Sequence, residues 1–154
     1  MTASLADTHA PTAPRRRTMS DLYELAARYR DAVERADLAT LTRLYHPDAL
    51  LDAHVPNWRF QVIGRSEVAR FTGNGLPGPG HFERFEPEAT ADGDLLVQLE
   101  WRQHTEDGTG ARSRQLHVLR LDAGRIVSQT LFCAGVWSPA LQQRMAAEAP
   151  LARP

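Results

Sequence analysis

His117-Val118-Leu119-Arg120-Leu121-Asp122-Ala123-Gly124-Arg125-Ile126-Val127 is the stretch whose reading decides the fold. His117, Leu119 and Leu121 alternate with Val118, Arg120 and Asp122, a period of two that marks a strand with unlike faces. Asp122-Ala123-Gly124 is turn chemistry, and Arg125 to Val136 reads as a last long strand. Upstream, Arg112 to Leu121 completes the strand. Thr105 to Gly110 carries the hairpin signal Asp107-Gly108, and Leu95 to Gln103 alternates again. Strands joined by such short turns form an antiparallel meander.

The segments before it are of another kind. Leu22, Leu25, Ala26, Tyr29, Ala32, Val33 and Ala36 recur at helical spacing behind Ser20, a candidate N-cap. Asp37 can cap a second helix, with Leu38, Leu41, Leu44 and Tyr45 on one face, which His46-Pro47-Asp48 ends. Ala49 to Val55 and Trp58 to Ile63 read as strands about a Pro56-Asn57 turn. Ser66 caps a short helix through Phe71. Gly73 to Gly80 holds four glycines and two prolines, so it reads as an exposed loop, and no Gly-Lys-Ser/Thr follows to make it a phosphate loop. His81 to Ala89 reads as extended. Residues 1–18 read as a disordered tail, 19–147 as a single α+β domain, and 148–154 as a C-terminal tail, with a short helix from Pro139 to Ala147 as an alternative for that end.

Composition bounds the function. The chain has 154 residues and 24% charged side chains. Its net charge of −1 argues against a general polyanion binder, so no nucleic-acid partner is expected. Arg15–Arg17 can tether a polyanion or lie solvated in the tail, and the balanced charge elsewhere favours the second. No apolar run approaches the ~20 residues of a membrane span, and no apolar segment follows the arginines as a secretory signal requires. One cysteine, Cys133, excludes an internal disulfide. The six histidines form no His-x-His or His-x3-His pair, so no metal and no cofactor is expected. These features point to the cytoplasm.

The order of these elements resembles the nuclear-transport-factor-2-like superfamily, in its SnoaL-like polyketide cyclase and ketosteroid isomerase branch. The resemblance runs from about Tyr23 to Trp137. It is carried by Asp37-Leu38, Leu44-Tyr45-His46-Pro47-Asp48-Ala49, Gly64-Arg65-Ser66-Glu67-Val68, and most strongly by His117 to Val127. It implies a cone-shaped, curved antiparallel sheet wrapped around N-terminal helices and enclosing an apolar pocket. A homodimer through the outer sheet face is implied as well. The fold hosts isomerases, cyclases, dehydratases, epoxide hydrolases and binders, so function must come from the site.

Laid on the isomerase pattern, the family's hydrogen-bonding tyrosine falls on Tyr29, its catalytic aspartate on Ala53, and its protonated aspartic acid on His117. The strand 95–104 has an apolar face, Leu95, Val97, Leu99 and Trp101, and a polar one that includes Gln98, Glu100, Arg102 and His104. The resemblance turns the polar face to the pocket and the apolar face to a dimer partner, while the plain strand reading leaves the polar face in water. The candidate catalytic set is then His117 as proton carrier or oxyanion donor, Glu100 as acid or base, Arg102 as its support, Tyr29 as a donor and Asp52 as a second carboxylate. Glu100 with Arg102 is similar to the paired acid and arginine of limonene-type epoxide hydrolases; a structural ion pair is the plainer reading. Asp52 and His54 flank Ala53 and by parity turn away from the pocket unless the strand bulges. His81 is a candidate guard of the pocket mouth. Candidate substrate contacts are Gln98, Trp58, Phe71, Phe82, His104, Leu119, Gln129, Leu131 and Cys133. Phe60, Phe85 and Phe132 join them as core or pocket walls. The functional expectation is a cofactor-free enzyme acting by acid–base chemistry on a small, largely apolar cyclic metabolite. A non-catalytic binder or a dimeric assembly module of the same fold stands as the alternative.

Overall fold

A computed structural model describes residues 18–74 and 78–152. The elements are α1 (Met19–Glu34), α2 (Leu38–Leu44), β1 (Tyr45–Val55), β2 (Trp58–Ile63), α3 (Arg65–Asn74), β3 (Gly80–Ala89), β4 (Leu95–Gln103), β5 (Arg112–Asp122), β6 (Arg125–Trp137) and α4 (Pro139–Glu148). The tail expected at 1–18 lies outside the described residues except for Thr18.

Thr18, not Ser20, caps α1. Its hydroxyl accepts from the Asp21 amide, and the Asp21 carboxylate accepts from the Thr18 amide, so two orphan donors are satisfied at once. The apolar stripe from Leu22 to Val33 is buried as its period requires. The helix stops short of Ala36, which takes a left-handed φ of 50°, and the Asp37 amide then bonds back to the Ala32 carbonyl. Asp37 caps α2 through the Thr40 amide at 3.0 Å. Ser66 lies inside α3, which starts at Arg65 and runs three residues past Phe71, to Asn74.

Six strands form one curved, unclosed sheet in the order β2-β1-β6-β5-β4-β3. Every neighbouring pair is antiparallel except β1 with β6, where the first strand lies parallel to the last. Helices α1–α3 cover one face. That face supplies Leu51, Ala53, Leu95, Val97, Leu99, Leu119, Ile126 and Leu131 to a single core with the α1 stripe.

The facing of β4 corrects an expectation. Leu95, Val97, Leu99 and Trp101 are at most 3% exposed and pack under the helices rather than at a dimer surface. Gln98, Glu100 and Arg102 turn to the opposite, outer face. The helices need an apolar surface to cover, and a sheet covered on one side gives its apolar face to the core. The frame taken from the resemblance was one residue out, and one residue exchanges the faces of a whole strand.

Candidate active site

A cavity of about 180 Å³ opens between the helices and the inner sheet face. Tyr29 from α1, Phe71 from α3, Phe82 from β3, Gln115 and His117 from β5, and Gln129, Leu131 and Cys133 from β6 line it. Pro56 and Val136 also line it and are themselves exposed, which marks the mouth. Among the described residues, no Asp, Glu, Lys or Arg lines this cavity.

Its polar wall is one hydrogen-bonded chain. The Gln115 amide donates through Nε2 to Ser113 Oγ at 2.8 Å, which leaves Oε1 facing His117 Nε2 at 2.8 Å. An amide oxygen only accepts, so His117 carries its proton on Nε2 and presents a bare Nδ1. Gln129 Nε2 lies 3.1 Å and Tyr29 Oη 3.2 Å from that Nδ1. Gln129 Nε2 also reaches Tyr29 Oη at 3.3 Å. The Tyr45 hydroxyl donates to Gln129 Oε1, which fixes the amide's orientation, and Thr72 Oγ1 donates in turn to Tyr45 Oη at 3.1 Å. Two donors, Tyr29 O–H and a Gln129 N–H, thus share one imidazole lone pair.

Burial sets the charge state. Removal from water disfavours the imidazolium and pushes His117 down to about 3. Burial also raises the Tyr29 and Tyr45 phenols, Tyr29 well above its ordinary value. At neutral pH the imidazole and both phenols are uncharged. It can donate hydrogen bonds to a ligand oxygen and accept one at Nδ1.

Of the residues proposed from sequence, the fold brings Tyr29, His117, Phe71, Phe82, Gln129, Leu131 and Cys133 to this cavity. The others lie elsewhere. Glu100 bonds Arg112 at 2.7 Å and Arg114 at 2.9 Å on the outer face, and Arg102 bonds Glu83 at 3.0 Å, so the two neither meet the cavity nor pair with each other. On an antiparallel sheet the partners that face a side chain come from adjacent strands, and these arginines and Glu83 stand across from it. Gln98 lines an outer-face groove instead. Asp52 is on the outer face as parity required. Arg59 holds it at 2.9 and 2.7 Å and pulls its carboxyl down to about 2. Trp58 is 71% exposed at the start of β2, an edge strand, where it pairs with Val55 beside the turn. Phe132 is exposed too and stacks on His54 with centroids 4.8 Å apart. Leu119 is fully buried in the core, away from the cavity. His104 is exposed and bonded to His81, and neither lines the cavity. Gln115 and Thr72, which line the cavity, and Tyr45, which stands behind Gln129, are polar residues that sequence reasoning missed. Gln115 was within reach, since it stands two residues before His117 on the same strand face.

Among the described residues, no group of three or more His, Cys, Asp or Glu side chains is placed to hold a metal, and no helix is long and apolar enough to cross a membrane.

A sheet of this order with a polar cluster in its concave side defines a class, and sequence places the chain in it: it belongs to the SnoaL-like domain family, whose model matches residues 26–129. Solved structures agree on the fold. A nuclear-transport-factor-2-like protein of unknown function from Mesorhizobium loti shares 21% identity at a TM-score of 0.60, over 79% of this chain and 97% of its own. The epoxide hydrolase/cyclase-like enzyme SalBIII of pyran ring formation in salinomycin shares 19% at 0.62, over 77% and 97%. A protein with a ketosteroid isomerase-like fold from Catenulispora acidiphila, solved with trimethylamine, shares 15% at 0.56, over 71% and 84%. No curated protein matches the sequence.

Proposed function

We propose that this protein binds a small, neutral, largely apolar cyclic metabolite through one ligand oxygen and polarises that oxygen, as a cofactor-free isomerase or cyclase. The observation that carries this reading is the Tyr29–His117–Gln129 cluster on the wall of an uncharged cavity. A ligand carbonyl or ether oxygen takes the Tyr29 O–H. The Nδ1 lone pair then stays satisfied by Gln129, so binding leaves no buried acceptor orphaned. Negative charge that develops on the oxygen meets a donor already fixed in a low-dielectric site, and the proton that enolisation or ring closure releases passes to His117 Nδ1 as Gln129 gives way. Kinship of fold with an enzyme of pyran ring formation supports this class of chemistry.

Size narrows the ligand. A dry apolar cavity of ~150 Å³ holds benzene, so about 180 Å³ takes one ring or a small bicycle. A four-ring steroid or polyketide would have to project through the mouth.

A second reading, a binder without turnover, is favoured by the absence of any carboxylate from the wall among the described residues, and by Ala53, where the resemblance to the isomerases places their catalytic aspartate. A panel of six- to ten-carbon cyclic ketones and ethers decides between them. Saturable binding with solvent-deuterium exchange beside the carbonyl, or ring closure of a hydroxy-epoxide, supports the enzyme. Binding without either supports the binder. If only carboxylated ligands bind, both fail.

Two copies would pair through the outer sheet face, where Leu116 and Phe132 are exposed beside Leu96. The single free cysteine fits work in the reducing cytoplasm.

A further inference from the structure

Away from the cavity, two histidines that are 23 residues apart in sequence meet at the sheet margin. His81 Nδ1 and His104 Nε2 stand 3.0 Å apart, both side chains are exposed, and the rings lie 5.1 Å apart at 30°. His81 is the second residue of β3, and His104 follows the end of β4. The backbone between them is closely held. The His104 amide bonds the Pro79 carbonyl at 2.8 Å, and Gly80 lies so tight against Trp101 that an added Cβ would sit 2.6 Å from its indole nitrogen.

We infer that His81 and His104 form a two-histidine site for a borderline divalent transition metal, Cu²⁺, Ni²⁺ or Zn²⁺. Imidazole nitrogens bind these ions at ~2.0–2.1 Å, and two ligands at adjacent positions are then roughly 2.8–3.4 Å apart, from square-planar to tetrahedral geometry. The observed spacing lies in the lower part of that span. The approach of the backbones at Pro79–His104 sets the spacing, so the site is largely organised before an ion arrives. What must change is small. Each exposed ring turns to aim its lone pair off the nitrogen–nitrogen line, and the ring that carries the bridging proton shifts to its other tautomer. No proton is lost from a neutral pair, and water completes the coordination. The ion clasps the start of β3 to the end of β4. Phe82, the next residue along β3, is a wall of the cavity, so the clasp braces that wall from outside.

The test is titration of the full chain with Cu²⁺, followed by electron paramagnetic resonance and calorimetry, with His81→Ala, His104→Ala and the double variant. Both residues are exposed, so these variants should fold as the parent does. The expected result is one high-affinity equivalent with a two-nitrogen signature. Each single variant should weaken it at least tenfold and reduce the signature to one nitrogen, and the double variant should lose it. Cu²⁺ should also raise the melting temperature of the parent and not of the double variant. Equal Cu²⁺ affinity in parent and double variant would place binding at other histidines and overturn the assignment. So would the absence of any site tighter than ~100 μM, or a two-nitrogen signature that survives either single substitution.

Discussion

Tyr29 Oη lies 3.2 Å from His117 Nδ1, a buried contact between α1 and β5 that spans 88 residues of chain. Neither partner can leave without loss. An imidazole held neutral at depth needs donors for its bare nitrogen, and a buried phenol needs an acceptor. The helix and the strand are thereby keyed to each other beside the cavity, and the same contact presents the hydroxyl that a ligand would meet.

Removing that hydroxyl should separate binding from folding. Tyr29→Phe leaves Nδ1 bonded to Gln129, so the stability cost should be about 1 kcal/mol. Affinity for a cyclic ketone that fits the cavity should fall about tenfold or more in calorimetry. An unchanged affinity would remove Tyr29 from the recognition scheme.

Acid should weaken the fold through His117. Its folded value, about 3, lies below the ~6.5 of an unfolded histidine. The unfolded chain therefore binds the extra proton between those values. This stabilisation is complete above pH ~6.5 and is lost progressively as pH falls toward 3, by up to ~1.4 kcal/mol per pH unit. His117→Gln should flatten the urea-derived stability profile over that window by close to one proton. Parallel profiles for parent and variant would show that His117 is not held neutral.

Glu100 makes the opposite forecast. Its side chain is only 9% exposed and holds Arg112 and Arg114. Glu100→Gln takes the counter-charge from Arg114 and leaves Arg112 to Glu83, and breaking such a partly buried pair should cost about 1–3 kcal/mol. Ligand affinity should stay within twofold, because the carboxylate is on the far side of the sheet. Loss of binding at unchanged stability would return Glu100 to the site.

Backbone approach can be probed without touching chemistry. A Cβ at Gly80 would lie 2.1 Å from the Arg102 carbonyl oxygen, whereas one at Gly93 meets nothing within 4 Å. Gly93→Ala should cost only the ~1–2 kcal/mol of its left-handed φ of 83°. Gly80→Ala should cost more than about 3 kcal/mol, since β3 must pull away from β4. Denaturant melts of the two variants give the comparison directly.

Pairing of two copies is open to one substitution. Phe132 is 45% exposed on the outer face. Phe132→Glu should shift a dimer toward monomer in sedimentation while leaving the thermal melt of the monomer within about 1 kcal/mol. A parent that is already monomeric at micromolar concentration would end the dimer proposal.

Element types were largely legible in the residues, because the code for them is local. Leu95–Gln103 appears with the bounds its alternation implied, and the Asp37 cap and the Pro56-Asn57 turn are where their chemistry put them. Thr18 displaced Ser20 as a cap because Asp21 completes a reciprocal pair only with Thr18. Facing was the weak point. Period two shows that a strand has two faces and not which one the helices cover. Borrowing the frame of β4 from a distant resemblance therefore sent Glu100, Arg102 and Gln98 to the wrong side, while Leu99 turned out to line the cavity. Tyr29 and His117 were recoverable because the resemblance places the isomerase tyrosine and acid on them, and Gln129 because it alternates with Leu131 on a face the resemblance turns inward. Tyr45 supports Gln129 and meets Thr72 through contacts across 84 and 27 residues that no local pattern encodes.

The parallel seam between β1 and β6 governs when this molecule can exist during its own synthesis. Tyr45 aligns with Ile126, and Ala53 with Leu131. A nascent chain that has emerged only through β5 has every helix of the core but no central strand to join β1 to the meander. Its apolar faces stay uncovered until β6 clears the ribosome. Such long-range closure makes for slow, late folding, and the half-made chain is the species that aggregates or recruits chaperones. A chain arrested after Gly124 should therefore remain protease-sensitive, and one extended past Trp137 should become resistant in a single step.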